Sequence, residues 1–323
     1  MKQLLNPESV INSLEVALTK PFDYSSAVRR LNGSISGIAP GTLHMKHRND
    51  CICFAEYRDG KQFFVSKTSK RVYELARRKY CSLLLHVLKI YSLQADGSQK
   101  LKQEAFAKLA DFIRMLDAAN LDVARVVLTS KQYEWYTKSF KQKPNKANLA
   151  IYTEGGVHVR SKSEKDIGNE LESNAVIYHF EEALRINVSE LVNALAGELN
   201  LRPRNGSLFH YVNGSCYWNV PSALEWINCD GSLWRAYDSN TGLITIFPDF
   251  RIMLADGSFM FWEHEGLIDN FVYRCNASER ELIMRYSGDV PAGNLIATFE
   301  KDTMNSLRVG EIIKSEILPR LFW

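Results

Sequence analysis

The alternation of hydrophobic and polar positions predicts that the first part of the chain joins a small β-meander to long helices. Residues 1–38 are loosely helical in pattern, and three β-like runs follow at 42–45, 51–57 and 63–66. The dipeptide Asp59-Gly60 between the last two runs is typical of a hairpin turn, so the three runs predict a meander. Apolar residues then recur every three or four positions, which predicts amphipathic helices over 70–93 and 103–115.

From residue 149 onward, strand-like and helix-like segments alternate. The predicted strands are 149–152, 157–159, 175–180, 243–247, 250–254, 259–262 and 294–299. The predicted helices are 163–173, 188–200, 278–286 and 303–318. This alternation is typical of an α/β (α+β) fold, in which helices cover a sheet.

A lysine-rich stretch over 138–148 separates these two parts and contains Pro144. A chain of 323 residues is long enough for two domains. We therefore predict an N-terminal meander and helical domain over 1–148, and a second domain over 149–323. The stretch itself is either a solvated loop or an edge at which Lys141 and Lys143 contact phosphates.

Composition and charge narrow the protein class. The chain is 46% hydrophobic and 24% charged, with 18 Gly and 9 Pro, which excludes disordered and collagen-like proteins. The net charge of +3 indicates a nucleic-acid partner only if the positive residues cluster. No apolar run approaches the roughly 18–20 residues that span a membrane, and the N-terminus lacks an apolar signal core. The six cysteines show no disulfide spacing, so we expect a cytoplasmic protein without a membrane partner.

One cluster of residues contains ligand types that zinc prefers. His44, His47, Cys51 and Cys53 lie close together, but their spacing differs from the usual pairs and no second half of a zinc finger follows. We favour buried thiols and surface histidines over a metal site here.

The acidic residues that flank two predicted strands point to chemistry. Asp249 lies at the end of one strand and Glu263 at the end of the next, 14 residues later, which suits adjacent antiparallel strands. Two carboxylates are unfavourable side by side unless a cation lies between them. Hard oxygen ligands favour Mg²⁺ or Mn²⁺, which polarise phosphates and activate water.

A third acid, Glu164, lies in the first turn of a predicted helix. Ser161 and Glu164 have the spacing of a capping box, in which the glutamate accepts a hydrogen bond from the backbone at the start of the helix. From the pattern alone, this structural role outweighs a catalytic one.

Taken in order and strand context, these residues resemble the restriction-endonuclease-like PD-(D/E)xK nuclease superfamily. The motifs that carry the resemblance are SKSE at 161–164, PDF at 248–250 and WEHEG at 262–266. The likeness is to uncharacterised bacterial members with a K-S-E helix and a W-E-H-x-G strand. It covers roughly residues 155–300, and residues 1–150 resemble the N-terminal part of the same proteins more weakly. The implied fold is a mixed sheet flanked by helices.

The resemblance also implies a ligand set. Asp249 and Glu263 would bind the metal directly, as would the backbone carbonyl of His264, and Glu164 would bind directly or through water. One departure concerns position 265, where the family has a lysine and this chain has Glu265. That lysine orients the attacking water and stabilises developing charge. The candidates to replace it are Lys162, which we favour, Lys165, Arg280 and Arg285; Glu265 is either a further metal ligand or an exposed acid.

A second departure is an insertion at about 185–242, longer than the family's usual connection. It is rich in aromatic residues and includes Tyr211, Tyr217, Trp218, Trp226, Trp234 and Arg235. These residues form either a small packed subdomain or a stacking surface for nucleic acid.

We therefore predict a metal-dependent endodeoxyribonuclease that hydrolyses DNA phosphodiesters with one or two Mg²⁺ or Mn²⁺ ions. The residues predicted to contact the DNA backbone without reading sequence are Lys70, Arg71, Arg77, Arg78, Lys141 and Lys143. Family analogy suggests a mobile-element or phage-defence setting, with other proteins of that system as partners and an oligomer as an option. The alternative is a catalytically impaired nuclease fold that binds DNA or assembles with partners; an RNA substrate is a third possibility.

Overall fold

The computed structural model describes most of the chain and shows a mixed α/β protein. The described residues are 5–48, 51–93, 98–143, 150–187, 209–212, 215–218, 237–238, 241, 243–267, 270, 277, 280–281, 283–285, 290, 293–303 and 306–323. The predicted helix over 188–200 lies outside them. So do Trp226, Trp234 and Arg235, and of the aromatic residues at 211, 217 and 218 only the backbone is described, so both interpretations of the insertion stay predictions.

The N-terminal part contains the predicted meander and both predicted helices. Its elements are α1 (Pro7–Leu18), α2 (Tyr24–Ser36), β1 (Thr42–Arg48), β2 (Cys51–Arg58), β3 (Lys61–Val65), α3 (Lys70–Tyr91), α4 (Ser98–Ala118), α5 (Val123–Val127) and α6 (Ser130–Thr137). The three strands pair antiparallel in chain order. The turn before β3 forms at Asp59 and Gly60, both with positive φ. Helix α3 begins after Ser69, whose side chain accepts a hydrogen bond from the Val72 N–H.

The C-terminal part alternates strands and helices as predicted. Its elements are β4 (Ile151–Tyr152), β5 (His158–Val159), α7 (Lys162–Ser173), β6 (Tyr178–Phe180), β7 (Leu184–Asn187), β8 (Phe209–Val212), β9 (Ser215–Trp218), β10 (Tyr237–Asp238), β11 (Leu243–Ile246), β12 (Phe250–Met253), β13 (Phe259–Glu265), β14 (Leu295–Phe299), α8 (Glu300–Thr303), α9 (Ser306–Ile312) and α10 (Leu318–Leu321). A π-helical turn, Ile313–Ile317, joins α9 to α10. The described residues between 277 and 285 are helical, as expected.

A four-stranded sheet, ordered β14-β13-β12-β6, organises this part. Strand β12 is antiparallel to both β13 and β6, whereas β13 and β14 are parallel. Strands β7 and β11 continue from β6 and into β12, and pair antiparallel with each other. Strand β10 also pairs with β11, so the strands at the ends of the predicted insertion belong to a three-stranded sheet of order β10-β11-β7.

The buried apolar side chains from both parts form one continuous cluster, which includes Leu14, Leu84, Leu171, Ile252 and Trp323. Hydrogen bonds also cross between the two parts. The Gln132 amide donates to the backbone carbonyls of Met253 and Leu321, both at 3.1 Å. Because the N-terminal and C-terminal parts share this one hydrophobic core, the core does not mark a domain boundary at 148/149, and that boundary stays a prediction. None of the helices in the described ranges combines the length and apolar character of a membrane-crossing segment.

Candidate functional site

Glu164 forms the predicted capping box at the start of α7. Its Oε2 accepts hydrogen bonds from the backbone N–H groups of Arg160, at 2.7 Å, and Ser161, at 2.9 Å. The Ser161 hydroxyl oxygen accepts in return from the Glu164 N–H, at 3.1 Å. The second carboxylate oxygen, Oε1, lies 3.4 Å from Nη2 of Arg160. The capping role is thus confirmed, and it leaves one oxygen of a buried carboxylate directed toward the other acids.

Asp249 and Glu263 lie opposite each other on neighbouring strands. The register pairs Phe250 with Trp262, so Asp249, one residue before β12, faces Glu263 on β13. The Asp249 N–H donates to Glu263 Oε1 at 3.3 Å, and the His264 N–H donates to Asp249 Oδ2 at 2.8 Å. Each acid is 3% exposed. The three predicted acids therefore converge at one end of the sheet, beside the N-terminus of α7.

The guanidinium of Arg160 lies among these carboxylates. Its Nη2 is 3.4 Å from Glu164 Oε1, 3.3 Å from Asp249 Oδ1 and 2.9 Å from Glu181 Oε1. One positive charge thus contacts three buried acids, which lowers their mutual repulsion. The sequence analysis missed both Arg160 and Glu181. The sequence signal that could have found Glu181 is its position immediately after the predicted strand that becomes β6. In the structure, β6 pairs with β12 on the edge opposite β13.

Glu181 is the most buried acid of the group, at 1% exposure. Its backbone N–H donates to the Asp249 carbonyl at 3.0 Å, which extends the β6–β12 pairing by one residue. Burial raises the pKa of Glu181 to about 7, against the opposing effect of Arg160 and Lys143. Burial also raises the pKa of Glu263, although the positive charge of Arg280 opposes the shift.

Glu265 is buried, at 6% exposure, so the interpretation of this residue as an exposed acid is wrong. It lies on the same face of β13 as Glu263, and Arg280 contacts both carboxylates. Arg280 Nη2 is 3.3 Å from Glu263 Oε2 and 3.8 Å from Glu265 Oε1. Burial raises the pKa of Glu265, and Arg280 acts against this rise. Of the four cations considered from sequence, Arg280 is therefore the one seen beside the acids of β13; Arg285 instead pairs with Glu281 at 2.6 Å.

His264 and Lys162 line the cleft in front of the acids, which has a volume of about 660 Å³. The imidazole of His264 lies between the Thr298 hydroxyl, at 3.3 Å from Nδ1, and Glu300, at 3.2 Å from Nε2. Lys162 is exposed at the rim. Whether the His264 carbonyl binds a metal stays a prediction, as does a catalytic role for Lys162.

The site supplies carboxylate oxygens, which hard divalent cations bind, but its described side chains are not arranged as a ligand set. Glu181 Oε1, Glu263 Oε2 and Glu265 Oε2 are buried and receive no hydrogen bond from the described part of the chain, although the first two lie near arginine nitrogens. Carboxylate oxygens of this kind are the ligands that Mg²⁺ and Mn²⁺ prefer. Within the described ranges, no three His, Cys, Asp or Glu side chains are arranged as a ligand set, and this also holds around His44 and Cys53.

The residues predicted to contact DNA divide into two groups. Arg71, Arg77 and Arg78 are bonded within the protein. Arg71 pairs with the buried Glu56, whereas Arg77 and Arg78 donate to the carbonyls at the ends of α5 and α2. Their guanidinium groups are committed to stabilising the fold, because helix C-termini and buried acids need positive partners. Lys70 and Lys141 are exposed, and Lys143 is half-buried.

Comparison with known proteins finds no matching family, no similar curated protein and no similar solved structure. The interpretation of the site therefore depends on its own geometry and chemistry.

We predict that the stability of the metal-free protein falls as the pH rises from about 4.5 to about 7. The folded state keeps the Glu181 proton up to about pH 7, whereas the unfolded chain releases it near the ordinary glutamate pKa of 4.5. Stability from this group is thus fully present below pH 4.5 and lost above pH 7, a difference on the order of 3 kcal/mol. Chemical denaturation of wild type and Glu181→Gln at pH 5 and pH 8 measures it.

Glu182→Gln is the matched control for this measurement. Glu182 is the next residue along the chain, and its pKa is lowered rather than raised. The fall between pH 5 and pH 8 should shrink in Glu181→Gln and not in Glu182→Gln. An unchanged fall in Glu181→Gln would contradict the prediction.

Proposed function

We propose that this protein is a metal-dependent nuclease that hydrolyses DNA phosphodiester bonds. The observation that carries the proposal is the convergence of Glu164, from α7, with Asp249 and Glu263, from the β12–β13 hairpin, at one end of the sheet. Burying several carboxylates together costs free energy, and the raised pKa values of Glu181 and Glu263 indicate that Arg160 and Arg280 offset this cost only in part. A cleft beside them gives room for a substrate.

Asp249, Glu263 and Glu164 would hold Mg²⁺ or Mn²⁺, with the His264 carbonyl as a further ligand. A divalent cation bound there lowers the pKa of water and polarises a phosphate oxygen. The protein's own contribution is to hold the three carboxylates in place. The capping box fixes Glu164, and the β12–β13 pairing fixes the other two acids.

The order of elements around the sheet supports the restriction-endonuclease-like assignment. Helix α7 precedes β6, the hairpin β12–β13 carries Asp249 and Glu263, and a helical segment precedes the parallel strand β14. Substrate contact by Lys70 and Lys141, a mobile-element or defence setting and a cytoplasmic location remain parts of this proposal.

A plasmid-nicking assay with Mg²⁺ or Mn²⁺ tests the proposed function. Wild type should nick supercoiled DNA, and Asp249→Asn should lose more than about 100-fold in rate, because even partners behind the ligands are worth 10–100-fold. Asp256→Asn is the matched control, since Asp256 lies exposed at the turn of the same hairpin and should leave the rate unchanged.

An impaired DNA-binding or assembly module is the second candidate. Its support is that Glu265 replaces the family's lysine and that Arg160 and Arg280 occupy the acids with positive charge. Wild-type binding to DNA without cleavage in either metal would establish this module and refute the nuclease. Cleavage of RNA but not DNA under the same conditions would show that the substrate is RNA, while the proposed hydrolysis of phosphodiester bonds would stand.

A further inference from the structure

Strand β13 carries two of the acids but no lysine or arginine that could stabilise charge on the reacting phosphate. Position 265 holds a glutamate, and the cation nearest to it, Arg280, is bound between Glu263 and Glu265. Arg160 is likewise held by three carboxylates. Both guanidinium groups neutralise acids, so a further positive charge is needed to stabilise charge on the reacting phosphate.

Residues 141–143 add a short edge to the sheet next to this site. Gln142 pairs antiparallel with Glu182. The Lys143 N–H donates to the Glu181 carbonyl at 3.3 Å, and the Ala183 N–H donates to the Lys141 carbonyl at 3.1 Å. This register places Lys143 directly opposite Glu181.

The same register continues across the sheet. Glu181 faces Asp249, and Asp249 faces Glu263, because Phe180 pairs with Phe250 and Phe250 with Trp262. Residues directly opposite each other on adjacent strands have their Cβ atoms about 4.5–5.5 Å apart. By backbone pairing, Lys143, Glu181, Asp249 and Glu263 therefore form one cross-strand row. Glu181 has a positive φ of 51°, and it is the shared contact with Arg160 that places its carboxylate beside that of Asp249.

The environment of Lys143 agrees with this placement. The residue is half-buried, and burial lowers the pKa of its ammonium group. The charges that act on it belong to Arg160, Glu181, Arg280 and Asp249, which are the groups of the site. Within the described residues its side chain has no hydrogen bond or ion pair, unlike the two arginines. It is thus the cation in the row that is not committed to a carboxylate.

We propose that Lys143 is the catalytic cation of this site and takes the place of the lysine absent at position 265. The inference rests on the proposed nuclease function. In the reaction, a water oxygen forms a bond to phosphorus and one ester P–O bond breaks. One proton passes from the water to solvent, and the leaving oxygen takes a proton from solvent. The Lys143 ammonium contacts the non-bridging oxygens, on which negative charge increases, and keeps its own protons.

Three variants test this role: Lys143→Ala, the conservative Lys143→Arg, and the control Lys131→Ala, an exposed lysine on α6. Nicking at saturating DNA should fall about 100-fold or more in Lys143→Ala, as for loss of one group that stabilises transition-state charge. Lys143→Arg should recover part of the rate, and Lys131→Ala should match wild type.

Two measurements without turnover separate catalysis from binding and folding. Calorimetric Mn²⁺ affinity of Lys143→Ala should be at least that of wild type, because a positive charge leaves the acidic row. DNA affinity with Ca²⁺ should change less than about threefold, since one phosphate contact contributes little to the total. Weaker Mn²⁺ binding, or a loss of cleavage that saturating DNA restores, would overturn the role.

The outcomes also separate this inference from the proposed function. If Lys143→Ala cleaves at the wild-type rate while Asp249→Asn does not, the nuclease stands and the role of Lys143 is refuted. If wild type cleaves in neither metal, both are refuted.

Discussion

Replacing Arg160 with methionine is expected to lower the free energy of unfolding of the metal-free protein by about 3–5 kcal/mol, as for the loss of one partner from a buried ion pair. The change leaves Glu164, Glu181 and Asp249 close together without the guanidinium that contacts all three. Methionine is shorter than arginine but keeps an unbranched, flexible side chain that fills part of the same space without the charge. Urea denaturation at pH 8 in the presence of a chelator measures the loss.

Arg114→Met is the matched control, because its ion pair with Glu8 is about half exposed and contributes at most about 1 kcal/mol. Added Mn²⁺ should stabilise Arg160→Met more than wild type, since a ligand that binds only the folded state stabilises it and no guanidinium then competes for the carboxylates. Equal loss in both variants would refute the stabilising role of Arg160. An Arg160→Met protein that Mn²⁺ does not stabilise would argue against a metal site at these acids.

Arg71→Ala is expected to cost a similar amount, about 3–5 kcal/mol, for the same reason. Glu56 is 5% exposed and accepts a hydrogen bond from Arg71 Nε at 3.1 Å. The same guanidinium donates to the carbonyl of Pro40 at 2.9 Å, so its removal also takes this donor away from the segment before β1. Thermal and urea denaturation measure the loss.

Lys70→Ala provides the contrast on the same helix, because the Lys70 side chain is 83% exposed. It should leave stability unchanged and weaken DNA binding, if α3 contacts DNA at all. An Arg71→Ala protein with wild-type stability and weaker DNA binding would restore the original prediction for Arg71.

The parts of the site that the sequence predicts are those set by local geometry. Glu164 follows from its spacing to Ser161, and Asp249 and Glu263 follow from the length of a single hairpin. The meander and α3 are likewise visible in local periodicity. Each of these depends on residues that are near one another along the chain.

Glu181, and the position of Lys143 beside it, could not be predicted in this way, because pairings between distant segments bring them to the site. Arg160 is local, four residues before Glu164, but the sequence does not show that its guanidinium also contacts Asp249 and Glu181. Lys143 reaches it only through the pairing of residues 141–143 with 181–183, and Glu181 only through the pairing of β6 with β12. The internal hydrogen bonds of Arg77 and Arg78 could not be predicted for a related reason, and contact of these residues with DNA stays a prediction. A charge pattern on a helix does not show which helix end will pack against it.

Strands β7 and β11, which flank the insertion, are close in sequence to two acids of the site. Leu184 and Ile246 pair with each other, and each is three residues from an acid, Glu181 in one case and Asp249 in the other. This pairing therefore fixes the separation between the two chain segments that carry these acids.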